Sequence, residues 1–215
     1  MLKTKVKASS VTNLTDARYF AAWETEWLGF NLNTGSEYYI QPNTMKAIKE
    51  WVDGVKVVGE FDLQEAEEIL AAADMLELDA VQVGTFSTQE TLQALHEQEV
   101  PVIKEVVVQD TGEFGAIAAQ LQAQEAWVSY FLLDFQKSGI TWPALLKGGL
   151  AELKDLAQNY PVLVAMDVDG EQLDAMLEEL PVKGISVRGG AEEKVGYKSF
   201  DELDELFEAI EVLEG

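Results

Sequence analysis

A single parallel (β/α)8 barrel is predicted by three features of the sequence. Short β-like runs alternate with amphipathic stretches of helical period, the pattern of successive βαβ units. Eight such pairs can be counted, and 215 residues shared among eight give about 27 per unit, near the minimum for a closed α/β barrel. No Pro-, Gly- or Ser-rich linker, low-complexity tract or break in composition divides the chain, so residues 1–215 read as one domain.

The strands are expected at Lys3–Ser9, Trp27–Asn31, Val55–Glu60, Ala80–Gly84, Val100–Val107, Val128–Asp134, Val162–Asp167 and Gly184–Arg188. Three helix starts carry the spacing of a capping box: Asp62 with Glu65, Ser87 with Glu90, and Ser199 with Glu202. Pro42 and Pro143 fall in first helical turns, where the missing N–H costs nothing. Pro101 and Pro161 fall at strand entries, where a missing donor is tolerated. In the long helical stretches Asp62–Met75 and Ser199–Leu213, the apolar stripes Leu63, Ala66, Ile69, Leu70 and Phe200, Leu203, Leu206, Phe207, Ile210 read as core. An open doubly wound sheet is the alternative. It would place a glycine-rich turn after the first strand, where this chain has Ser9-Ser10-Val11-Thr12-Asn13.

A net charge of −24 repels polyphosphate and anionic lipid, so neither nucleic acid nor membrane is an expected partner. A phosphorylated ligand would need a local cluster of cations or backbone N–H groups. The absence of cysteine excludes disulfides, zinc–thiolate sites and thiol nucleophiles, and no metal or other cofactor is expected. The lone His96 lies in a helical stretch and reads as a surface residue. Met1–Lys7 lacks the apolar stretch of a signal peptide and no apolar run reaches about 18 residues, so a cytoplasmic protein is expected.

Eight strings in barrel order carry a resemblance. They are Val6-Lys7-Ala8-Ser9-Ser10 leading to Asp16-Ala17, then Leu28-Gly29-Phe30, Ser36-Glu37-Tyr38-Tyr39 and Lys56-Val57-Val58-Gly59-Glu60-Phe61. Asp79-Ala80-Val81-Gln82-Val83, Pro101-Val102-Ile103-Lys104 and Leu132-Leu133-Asp134 follow. Together they resemble the phosphoribosylanthranilate isomerase family, TIM barrels that carry out an Amadori rearrangement in tryptophan biosynthesis. The resemblance implies that Asp134 stands at the place of the general acid, which protonates the ring oxygen. It also implies that Ser9 stands where a cysteine base removes the C2 proton. Tyr38 stands where the family has an arginine, Asp167 falls in a Gly-Gly phosphate turn, and Arg188 with Gly189 and Gly190 replaces a Ser-Ser-Gly.

These departures lead to the expectation of a diverged member whose original activity is absent or weak. The alternative is an active isomerase with Asp134 as acid and Ser9 in place of the base. With Asp134 inward, the family register places Lys7, Ser9, Asn31, Gln82, Lys104, Asp167 and Arg188 at the mouth or in the upper core, joined by Glu60 if strand three keeps that register. One reading is a pocket in which Lys7, Lys104 and Arg188 meet a small anionic or polyhydroxylated ligand, with or without a phosphate, covered by Tyr38 and Tyr39. The other is mutual neutralisation of these cations by Asp134, Asp167 and Glu60. A Schiff-base role for Lys104 is a further alternative. Both a monomer and a homodimer are compatible with the sequence.

Overall fold

The computed structural model describes residues 1–189, 192–194 and 197–212. Its barrel strands are β1 (Lys5–Ser9), β2 (Trp27–Asn31), β3 (Lys56–Phe61), β4 (Ala80–Val83), β5 (Val102–Val107), β6 (Tyr130–Asp134), β7 (Val162–Ala165) and β8 (Gly184–Arg188). Each strand is parallel to the next in chain order. β8 closes onto β1 through five residue pairs, from Lys5 with Gly184 to Ser9 with Arg188, so no sheet edge remains and an open doubly wound sheet is excluded. The closure explains Gly184, where a Cβ would press against the Lys5 carbonyl oxygen.

The connections are α1 (Leu14–Ala22), α2 (Pro42–Lys49), α3 (Ala66–Leu76), α4 (Gln89–Glu97), α5 (Phe114–Gln124), the pair α6 (Trp142–Lys147) and α7 (Leu150–Asn159), and α8 (Gly170–Glu179). A two-stranded antiparallel hairpin, β9 (Glu192–Lys194) and β10 (Tyr197–Lys198), precedes the last helix, α9 (Asp201–Ala209). Among the described residues no helix is long and apolar enough to cross a membrane.

Alternation along the strands builds two cores. Trp27, Val58, Ala80, Ile103, Leu132, Leu163 and Ala165 pack inside the barrel. Their outward neighbours, among them Val57, Val81, Val102, Phe131 and Val162, pack beneath the helices. Near the bottom, the half-exposed Lys5 donates to the Tyr130 hydroxyl at 3.0 Å and lies 5.3 Å from the Trp27 ring, covering that end of the barrel.

Several local expectations are corrected. No Asp62–Glu65 box forms: α3 starts at Ala66, and the Asp62 backbone N–H is already taken by Gln64 Oε1 at 2.7 Å. Leu63 therefore lies in the loop before the helix and is exposed rather than core. Thr88, not Ser87, caps α4 by accepting the Thr91 N–H, because the Ser87 hydroxyl donates to the Asp62 carbonyl instead. Ser199 bonds the Asp201 N–H from one position outside the cap, which is Phe200. The prolines sit as expected, with Pro42 and Pro143 in first helical turns and Pro101 and Pro161 just before strands.

Candidate active site at the barrel mouth

A polar cavity of about 460 Å³ opens at the C-terminal ends of the strands, where α/β barrels place their chemistry. Strand alternation aims Ser9, Asn31, Glu60, Gln82, Glu105, Asp134, Ser186 and Arg188 into it. On the β1 side a chain of contacts runs under its floor. The Lys7 ammonium, fully buried, donates to Glu60 Oε1 at 2.5 Å and to Ser9 Oγ at 2.7 Å. Ser9 Oγ in turn lies 2.7 Å from Ser186 Oγ.

The Glu60 carboxylate also accepts from the Ser10 backbone N–H and hydroxyl. Burial alone would push this carboxyl up, but the Lys7 charge and the bonds from Lys7 and Ser10 outweigh it and hold Glu60 below the ordinary carboxylate range. Gly29 makes room for the pair, since a Cβ there would overlap the Glu60 carboxylate and come within 2.7 Å of Lys7 Nζ. Lys7 therefore does not line the cavity, contrary to the reading in which it meets a ligand; it is paired with Glu60, as the neutralisation reading expects. Its charge is spent beneath the cavity. Ser9 does face the cavity, but an oxygen that accepts from an ammonium is a weaker base. Its own proton is free to point at Ser186 or at a ligand.

Asp134 ends β6, almost wholly buried. Its Oδ1 accepts the Lys137 backbone N–H at 3.0 Å across a single turn of 3₁₀ helix, Gln136–Ser138. The Lys137 ammonium lies 3.7 Å from Asp134 Oδ2 and 2.7 Å from Oε1 of Glu105 on β5. Burial, first, and the neighbouring Asp134 raise the Glu105 carboxyl above its ordinary value, against the opposing pull of Lys137. Gln82 lies in the wall, buried, and its Oε1 accepts no hydrogen bond from any described residue.

Lys104 is the clearest correction. Ile103 and Glu105 take the inward positions of β5, so Lys104 points outward into the β4–α4 loop and does not line the cavity. There its ammonium donates to the carbonyl oxygens of Gly84 at 2.5 Å, Thr85 at 3.0 Å and Ser87 at 3.2 Å. Burial lowers it to about 8, partly offset by Glu105 and Asp62. Enclosed in this way it has no access for a carbonyl substrate, so the Schiff-base alternative falls.

Asp167 is likewise outside the cavity that holds Ser9 and Asp134. It is exposed, accepts from Gln136 Nε2 at 2.8 Å, and lines a second hollow of about 650 Å³ between β7, β8 and the start of α9. Gln136, Lys137 and Arg188 line both hollows and join them. Gly189 belongs to the second, and a Cβ on it would come within 2.8 Å of Asp16 Oδ2. Gly190 lies outside the described residues. Arg188 stacks on Tyr38, guanidinium to ring centroid 5.2 Å, so Tyr38 shapes the rim while Tyr39 does not line the cavity.

Compared with known families, residues 6–209 match that of N-(5'-phosphoribosyl)anthranilate isomerase. The chain belongs to this family. A relative of that name from Maridesulfovibrio salexigens is 25% identical over 205 residues, covering 95% of this chain and 97% of its own length. The phosphoribosylanthranilate isomerase of Thermus thermophilus superposes with a TM-score of 0.77 at 27% identity, covering 95% of this chain and 97% of that one. A further family structure, solved with reduced 1-(o-carboxyphenylamino)-1-deoxyribulose 5-phosphate, gives 0.75 at 23% identity, with 96% and 98% covered.

Beside Asp134 the mouth carries two residues that sequence reasoning did not single out. One is Glu105, missed because the inward parity of β5 was assigned to Lys104. The other is Lys137, whose backbone N–H and ammonium both reach Asp134. Glu105 was legible in principle: in the uninterrupted strand-five run, one carboxyl and one ammonium stand side by side, and either could face inward.

Proposed function

We propose that this chain is an aldose–ketose isomerase of the phosphoribosylanthranilate isomerase type, with Asp134 as the proton donor at the barrel mouth. The observation that carries the reading is that Asp134 and Ser9, to which the resemblance gives the acid's and the base's places, open onto one cavity. The substrate would be a small N-glycoside bearing a phosphate. Asp134 would protonate the sugar ring oxygen as the C1–O bond breaks, with the electron pair staying on oxygen. Loss of the C2 proton then gives an enaminol, which tautomerises to the ketose. Gln82, with an unpaired buried acceptor, would take a hydrogen bond from a substrate hydroxyl. Arg188, where the two hollows join, and Gly189 in the second hollow would face the anionic end.

A second reading, a barrel with its original activity absent or weak and an altered small ligand, is favoured by two specific features. Ser9 accepts from the Lys7 ammonium, which makes it a poor base. The hollow on the β7–β8 side carries Asp167, Asp201 and Glu202, three carboxylates where a phosphate dianion would sit. Mixing freshly made phosphoribosylanthranilate with the purified protein and following anthranilate fluorescence separates the two. The isomerase reading predicts a decay that the Asp134→Ala variant lacks, and equal decay in both supports the second.

A further inference from the structure

Two strands of the barrel bring a second carboxyl to the Asp134 side of the mouth. Glu105 on β5 and Asp134 on β6 line the same cavity and bracket one ammonium, at 2.7 Å from Glu105 Oε1 and 3.7 Å from Asp134 Oδ2. Both are buried. Two buried carboxylates this close to a single, half-exposed cation cannot both ionise cheaply.

We infer that Glu105 and Asp134 share one proton under the Lys137 ammonium, and that this pair, rather than Asp134 alone, is the proton donor of the mouth. The inference rests on the isomerase reading for its chemistry but not for its geometry. Pair and ammonium together are then neutral at rest. Delivery of the proton to the ring oxygen leaves two carboxylates beside one ammonium, which makes the pair the strongest base in the cavity. It recovers the proton leaving C2. The closing tautomerisation moves one proton from the C2 hydroxyl to C1, so the count of protons returns to its start. In this scheme the ammonium-bound Ser9 is not required as a base.

Other charged groups bear on Glu105. Lys104 stands next to it in β5 with its head turned away. Across the cavity are Glu60 and Asp62 from β3 and the loop after it, Arg188 from β8, and Glu37 and Tyr38 from the loop after β2. Glu60 is neutralised by Lys7 and Arg188 is stacked on Tyr38, so Asp134 and Lys137 are the two groups whose removal should move Glu105 most.

The test is a carboxyl carbon-13 NMR titration of the full-length protein, with the Glu105 resonance assigned by its loss in Glu105→Gln. Glu105 is expected to titrate above the ordinary glutamate value of about 4.3. It should move down in Asp134→Asn, which removes the neighbouring negative charge, and up in Lys137→Met, which removes the cation. A Glu105 resonance that titrates at the ordinary value, or that is unmoved in Asp134→Asn, overturns the inference. If Asp134→Asn does not fold, Lys137→Met alone decides it, an unmoved resonance again being the contrary result. On turnover, Glu105→Gln should lower kcat about 10²-fold with little change in KM and remove one limb of the kcat–pH profile, and Glu105→Asp should restore part of the rate. Turnover in Glu105→Gln with an unaltered pH profile overturns the inference. A wild-type protein with no turnover at any pH would contradict the isomerase reading, and the titration would still decide the pair.

Discussion

The Lys7 ammonium and the Glu60 carboxylate meet at 2.5 Å beneath the barrel mouth, both buried. A pair so enclosed contributes little net stability while intact, but removing one partner strands a charge, which costs about 3–5 kcal/mol. Glu60→Gln should therefore lower the urea midpoint far more than the double replacement Lys7→Met with Glu60→Leu, a comparison that denaturation curves supply directly. Because Glu60 is held below its ordinary value of 4.5, its contribution is present above that value. It is lost as pH falls through the lower value of the folded protein.

Ser9→Cys is expected to add a second, stronger base to the cavity, opposite the Glu105–Asp134 pair. A thiol beside the Lys7 ammonium should ionise below its free value of about 8.5, giving a thiolate visible by ultraviolet absorbance near neutral pH. Under the isomerase reading kcat should rise at least about 10-fold. A thiol that stays protonated to its free value would show that Lys7 does not polarise this position.

Lys104 holds the β4–α4 loop through three carbonyls, so Lys104→Met should destabilise the protein by about 1–3 kcal/mol through the acceptors left unpaired. Its folded value of about 8 lies below the unfolded 10.5, so the unfolded chain binds the extra proton between them. Stability should accordingly rise with pH across that window. The rise, at most on the order of 3 kcal/mol, should be missing in the variant when urea midpoints at pH 7 and pH 10 are compared.

Gly29→Ala should act like a cut in the Lys7–Glu60 pair, because the added methyl occupies the carboxylate's place. A loss of several kcal/mol is expected. Little loss in a thermal melt would mean the pair re-forms elsewhere in the upper core.

Much of the architecture was legible in the sequence, because strand and helix periods, proline positions and the order of short strings point the same way. The strands Trp27–Asn31 and Gly184–Arg188 have the expected bounds, and the others differ only at their ends. Helix starts were less legible, since a capping box is a local pattern that tertiary contacts override, as at Asp62 and Ser87. At the mouth, Ser9, Gln82, Asp134, Arg188 and Tyr38 line the cavity. Lys104 does not, and a one-residue change of parity exchanges an ammonium for a carboxyl in the cavity. The Lys7–Ser9 and Lys137–Asp134 contacts depend on side-chain reach, which spacing alone does not specify.

The most direct measurement is the decay of anthranilate fluorescence when phosphoribosylanthranilate meets a high concentration of the protein, with Asp134→Ala as matched control. Decay above background in the wild type that disappears in the control is the predicted result. No decay, or the same decay in both, would contradict the assignment of this mouth as an isomerase site with Asp134 as its proton donor.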